Sequence, residues 1–155
     1  MVALRSNRGN SELVLDLGPS SEYEHDRGFD SSIKISSSHW DGDHEHPLSL
    51  QVKGLWLRAN DLLELHKMIS KWVEMPLKQL AVAELLGELE LARVPGQRLL
   101  LRFGPRDDTV STRNPVVTVK VSAGSVQAEC HFVTDQSCLT LFAQDLSHAM
   151  LQGAA

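Results

Sequence analysis

An antiparallel α+β layer fold is what the sequence predicts. Three observations predict it: two hairpin patterns of strict period 2, two amphipathic helical stripes, and an order that reads strands, helix, four strands, helix. The expected architecture is one antiparallel sheet of about six or seven hairpin-built strands covered by two helices, over about 60–74 and 135–151.

The opening stretch is the least regular. Leu13–Leu17 and Ile33–Ile35 alternate weakly, and the text around them is rich in Ser, Gly, Asp and His, so 1–47 is expected to be a loop-rich part of a single domain spanning 1–155. Leu48-Ser49-Leu50-Gln51-Val52-Lys53 then alternates cleanly, Gly54 interrupts, and Leu55-Trp56-Leu57 continues. The glycine predicts a bulge or a close backbone approach.

The first helix is marked by Asn60 as N-cap, by Asp61 and Glu64 in the first turn, and by an apolar stripe of Leu62, Leu65, Ile69, Trp72 and Val73. Pro76 ends it. The apolar run 77–86 is rich in helix formers and is read as a short helix.

Two hairpins follow. Around Val94-Pro95-Gly96-Gln97, a three-residue loop sets Leu91 against Leu101, Leu89 against Phe103 and Glu90 against Arg102. A two-residue Pro-Gly loop would instead oppose Glu90 and Leu101, mixing the faces. After the polar stretch from Arg106 to Pro115, read as a solvated loop, Val117–Val121 and Val126–Phe132 form the clearest pair. With Ala123 and Gly124 as turn residues, Val121 faces Val126, Val119 faces Ala128 and Val117 faces Cys130, leaving one face wholly apolar. The last helix opens near Thr134 or Asp135, turns Leu139, Phe142, Leu146, Ala149 and Met150 inward, and stops at Gly153. No internal repeat is visible.

Composition narrows the function. A net charge of −5, with its 15 Lys and Arg scattered, repels phosphate backbones, so nucleic acid is not expected as a partner. No apolar run approaches a bilayer span and Met1–Asn10 lacks the apolar centre of a secretory signal, so no membrane is expected and the cytoplasm is the predicted address. The two cysteines, Cys130 and Cys138, are read as thiols in a reducing compartment, Cys130 as a small buried hydrophobe.

One segment invites a chemical reading. His39-Trp40-Asp41-Gly42-Asp43-His44-Glu45-His46, with Glu24, His25 and Asp26 upstream, is dense in imidazole and carboxylate, the donors that suit zinc or another divalent ion. His39, Asp41, Asp43, His44 and His46 are the candidate ligands, and an extended His-x-His would place His44 and His46 on one side. The plainer reading, which is preferred, is a solvated polar loop with no cofactor. Trp40 either folds back onto the core, the favoured expectation, or anchors a partner.

His66 lies beside the first helical stripe and His148 in the last turn of the second helix, both in structural roles. His131, beside Glu129, is the one histidine whose neighbour could orient it as a base. Ser20-Ser21 and Ser36–Ser38 are not set in a nucleophile elbow, and no Gly-rich phosphate loop occurs. No catalytic or cofactor-binding residue is therefore assigned.

From Leu48 onwards, the strand, the Asn60 helix ending in Trp72, the Leu-Gly-Glu-Leu-Glu-Leu strand from Leu86, two further strands and the Thr-Asp-opened final helix resemble uncharacterised bacterial domains. Their layout is that of small immunity proteins that neutralise wall-associated toxins. The resemblance implies a protein partner whose basic surface meets acidic residues. The leading expectation is thus a non-catalytic, protein-binding domain, immunity-like in character. The alternatives are a metal-dependent enzyme using the 39–46 segment, and a structural subunit whose strand edges pair across a two-fold axis as a homodimer.

Overall fold

Alternation of apolar and polar side chains carries the described residues through eight strands, one more than the larger of the two expected counts. The computed structural model describes residues 1–74, 87–92, 94–104 and 114–153. In order these form β1 (Val2–Arg5), β2 (Ser11–Tyr23), β3 (Asp26–Asp41), β4 (His44–Arg58), α1 (Ala59–Val73), β5 (Gly87–Ala92), β6 (Gln97–Gly104), β7 (Val116–Ala123), β8 (Val126–Val133) and α2 (Gln136–Gly153). All strand neighbours are antiparallel and lie in sequence order, in one open sheet. Among the described residues, four strands followed by a helix occur twice. The repeat is one of topology, invisible in the residues.

The N-terminal expectation is corrected most. Residues 1–47 are mainly strand, not loop: β2 and β3 are 13 and 16 residues long. Leu13 and Leu15 of β2 oppose Leu4 and Val2 of β1 on one side and Ile35 and Ile33 of β3 on the other, all buried. The outer positions of these strands are polar, which is why they read as loop. In the second half Leu99, Leu101 and Phe103 oppose Val121, Val119 and Val117. These inner faces join Leu62, Leu65, Ile69 and Trp72 of α1 and Leu139, Phe142 and Leu146 of α2 in one buried cluster. Each such side chain stabilises the fold by about 1.5–3 kcal/mol on burial.

Gly54 is the predicted bulge: its φ is +75°, and Lys53 and Gly54 together oppose Ser32 as pairing jumps from Ile33–Val52 to Ser31–Leu55, one residue more on β4 than on β3. A Cβ there would meet nothing within 4 Å, so close approach is not the reason for the glycine.

Both proposed registers are corrected by two residues. In the β7–β8 hairpin Val119 faces Cys130, Val121 faces Ala128 and Ala123 faces Val126. The turn residues are Gly124 and Ser125, since the φ of +60° at the first turn position suits Gly124 and not Ala123. A shift of two keeps every face, so the apolar side was identified correctly. In the β5–β6 hairpin Leu89 faces Leu101, Glu88 faces Arg102 and Glu90 faces Leu100, and then a bulge brings Ala92 against Leu99. Next to the turn the tight loop holds after all: Gln97 N donates to Val94 O at 3.0 Å, with Gly96 at φ +85°. The bulge at Leu91 reconciles that loop with the face pattern, and Leu91 and Ala92 are both fully buried.

Helix α1 starts after Arg58, one residue before expected, and Asn60 lies inside it. No side chain caps the first turn; instead Asp61, 3% exposed, sits at the positive end of the helix and takes two hydrogen bonds from Arg58, Nη2 to Oδ1 at 2.8 Å and Nε to Oδ2 at 3.2 Å. Helix α1 stops at Val73, and Pro76 and the expected helix over 77–86 lie outside the described residues. So does most of the loop expected from Arg106 to Pro115. Helix α2 is capped by Asp135, whose Oδ1 accepts from Cys138 N at 2.8 Å.

Helix α2 crosses over to the first half of the sheet. α2 packs on α1, β1 and β2, and α1 packs on β3, β4 and β5. Gln136 Nε2 donates to Val73 O at 2.6 Å, Asn7 N donates to Val133 O at 2.8 Å and Thr134 Oγ1 donates to Arg5 O at 2.8 Å. One end of the sheet therefore ties its first strand to its last.

Candidate functional site

β3 and β4 outrun the rest of the sheet. The pairing of β2 with β3 ends at Ser11–Ser37, and Ser38 N makes a last bond to Asn10 O at 2.9 Å. Beyond it, among the described residues, His39–Asp41 of β3 pair only with His44–His46 of β4, closing on a turn at Gly42 (φ +62°) and Asp43. The segment expected to be a loop is a two-stranded ribbon. Every residue from His39 to Ser49 is exposed.

Register sorts the ribbon's side chains. Directly opposed residues share a face, and so do residues two apart along a strand. His39 opposes His46 and Asp41 opposes His44, which puts three imidazoles and a carboxylate on one face. The His39 and His46 rings stack with centroids 5.1 Å apart and planes at 24°. Trp40 and Glu45 oppose one another on the other face. Asp43 occupies the turn and leaves the ligand set. Among the described residues no three or more His, Cys, Asp or Glu gather where a metal ion would be held.

Trp40 does not fold back onto the core. It is 65% exposed, and Leu48 at the root of the ribbon is 66% exposed. The expectation failed because β3 extends beyond the other strands, leaving the indole nothing to cover.

Glu24 and His25 form the β2–β3 turn, with φ values of +50° and +69°, at the opposite end of β3 from the ribbon. Asp26 lies there too, 3.6 Å from Arg58 Nη1. The hydrogen bond to Asp61 outweighs the cost of burial and pushes the Arg58 pKa above its usual range. This cluster is structural and shares nothing with His39–His46.

His131 sits between two partners, Glu129 Oε1 at 3.2 Å from Nε2 and Thr118 Oγ1 at 3.2 Å from Nδ1, on the outer face of the sheet. Cys130 and Cys138 are both free, half-buried thiols. Burial pushes the pKa of each upward, with the Asp135 carboxylate adding to the effect at Cys138. They are packing residues, not activated nucleophiles.

Two features escaped sequence reasoning. Trp56 lies on the outer face over Gly28, 5.5 Å from the Tyr23 ring, with Nε1 donating to Ser21 Oγ at 3.0 Å. Its place between Leu55 and Leu57 was the available signal, since alternation turns it away from the core. The second is a local gathering of cations on the outer face of β6 and β7, where Arg98, Arg102 and Lys120 share a side, Arg98 being 3.5 Å from Glu90.

No family model matches this chain, and no curated protein matches it. Similar solved structures include the plant transcriptional regulator PBF-2, at 10% identity and TM-score 0.46, covering 97% of this chain and 88% of that one. Another is WHY3 from Arabidopsis thaliana, at 10% identity and TM-score 0.44, covering 97% and 86%. These are resemblances of layout, and what those proteins bind belongs to them. Against the expectation that nucleic acid is not a partner, the similar structures include a transcriptional regulator. A net charge of −5 does not exclude nucleic acid, because it sums over all faces while recognition depends on the field at one of them. Among the described residues no helix is long and apolar enough to cross a membrane.

Proposed function

We propose that this chain is a non-catalytic binding domain that engages a protein partner through the β3–β4 ribbon, with Trp40 as the anchor. The observation that carries the reading is the 65% exposure of Trp40 on an arm paired on both strands. An indole held by a hairpin brings a large contact area with little conformational entropy left to lose, the property of interface hot spots. Glu45 opposes Trp40 on the same face and Asp43 sits in the adjoining turn, so a partner with a basic surface is the complementary one, in line with the immunity-like resemblance.

Capture from the native host with the intact chain and with Trp40→Ala tests this. The intact chain is expected to retain a protein that Trp40→Ala loses, with association slowing as salt rises. Equal recovery by both chains would overturn the reading. So would recovery that disappears on nuclease treatment, which would move the assignment to nucleic acid.

A further inference from the structure

We infer that the histidine face of the ribbon is a binding site for a divalent transition-metal ion, with His39 and His46 as the primary ligands. It does not rest on the partner reading, which concerns the opposite face. The argument begins with register. His39 and His46 are direct cross-strand partners, and their stacked rings lie 5.1 Å apart. Turning each ring about its side-chain bonds brings one nitrogen of each towards a common point, where an ion bound at about 2.0–2.1 Å from each would sit between the strands. No backbone movement is needed, because the ladder already fixes the Cβ separation.

The next pair towards the tip supplies the rest. Asp41 and His44 lie on the same face, two residues along, about 7 Å away at the usual rise of a strand. That distance is within reach of exposed side chains turning back along the ribbon. His44 adds a third nitrogen, and Asp41 offsets the charge of the ion. Nitrogen-rich sets with one carboxylate favour Zn²⁺, Cu²⁺ or Ni²⁺ over Mg²⁺ and Ca²⁺, which prefer oxygen. The donors have not converged into a three-ligand group, so the pair captures the ion first and the tip closes on it. All four side chains are exposed and lose little hydration before binding. The bound ion acts as a staple between β3 and β4 where their only support is each other.

Titrating the untagged, chelator-stripped full chain with zinc chloride, followed by calorimetry, tests the site. One ion per chain is expected, with magnesium chloride giving no response. His39→Gln and His46→Gln are each expected to weaken zinc binding at least about tenfold, a loss that even residues supporting a ligand cause. Trp40→Ala, His66→Ala and His148→Ala should bind zinc as the parent does. No zinc binding by the parent, or unchanged affinity in the His39→Gln, His46→Gln double variant, would overturn the site. A circular dichroism spectrum matching the parent's confirms that each variant is folded. Trp40→Ala removes the protein contact and leaves the ion, whereas the histidine variants do the reverse, so the two proposals fail separately.

Discussion

Gln97 donates from its side-chain Nε2 to the backbone carbonyl of Gly54 at 2.5 Å, across the seam between the two halves of the sheet. Among the described residues, backbone pairing there amounts to one residue pair, Leu57 with Ala92. The amide completes the join by accepting from Trp56 N at 3.2 Å through Oε1. A side chain thus satisfies backbone groups of β4 that the short ladder at the seam leaves unpaired.

Gln97→Leu keeps the size and removes both bonds, leaving the half-buried Trp56 N without its partner and the exposed Gly54 O to water. A loss of about 0.5–1.5 kcal/mol is expected, read from the urea midpoint at unchanged slope. A midpoint within error of the parent's would show that the seam does not depend on this amide.

Gly28→Ala should destabilise for a different reason. Its Cβ would overlap the Trp56 ring and the Leu57 carbonyl, one of which must shift. The expected cost is about 1–3 kcal/mol, with a change in tryptophan emission as the indole is displaced. Gly28→Ala with Trp56→Ala should recover part of the loss, whereas strict additivity would mean that the ring is not the obstacle.

Asp135→Ala removes the carboxylate that caps α2 through Cys138 N. A cost of about 0.5–2 kcal/mol is expected, with Asp135→Asn close to the parent because an amide oxygen accepts the same bond. Thermal melts of the three chains separate capping from a general charge effect.

The thiols give a pH signature. Burial raises the pKa of Cys130 and Cys138 above the ordinary 9.0. The neutral thiol is therefore favoured in the folded chain. Its contribution to stability is fully present below the unfolded pKa and is lost as pH rises through the folded one. Iodoacetamide labelling, followed by mass spectrometry, should be slower at pH 8 in the folded chain than in urea, and the chain should become easier to unfold above about pH 9. Folded-state labelling as fast as in urea would contradict this.

What could be read beforehand divides along physical lines. The inner faces of β6, β7 and β8 were legible because an alternating pattern states its own period, as Val117, Val119 and Val121 do. Their registers were not, because a slide of two residues leaves every side chain on its own face. Only the φ demand at Gly124 and the bulge at Leu91 distinguish the options. The Asp135 cap was legible from its residue type, while α1 was misread by one turn position because Asp61 and Arg58 do by ion pairing what a cap would do. Ser31, Ser32 and Ser36 to Ser38 hid β3, since a strand held by neighbours on both sides needs little apolar content of its own. The ribbon was the hardest to foresee. Nothing in His39–His46 reveals that β2 starts too late to accompany it, and that difference in strand length exposes Trp40 and aligns the histidines.

The hydrogen bond from Thr134 to the Arg5 carbonyl joins residues 129 positions apart. A chain emerging from the ribosome presents β1 long before Thr134 and must hold it without its closing partner until the strands from β2 to β8 have been made. The helix that covers β1 and β2 also follows all of these strands in the chain. Neither half of the topological repeat can therefore mature by itself, and folding must proceed as one late, long-range event, slow by the measure of contact order. Until that closure the inner face of the first strands stays open, so the final helix decides whether the nascent chain completes its fold or is left vulnerable to aggregation.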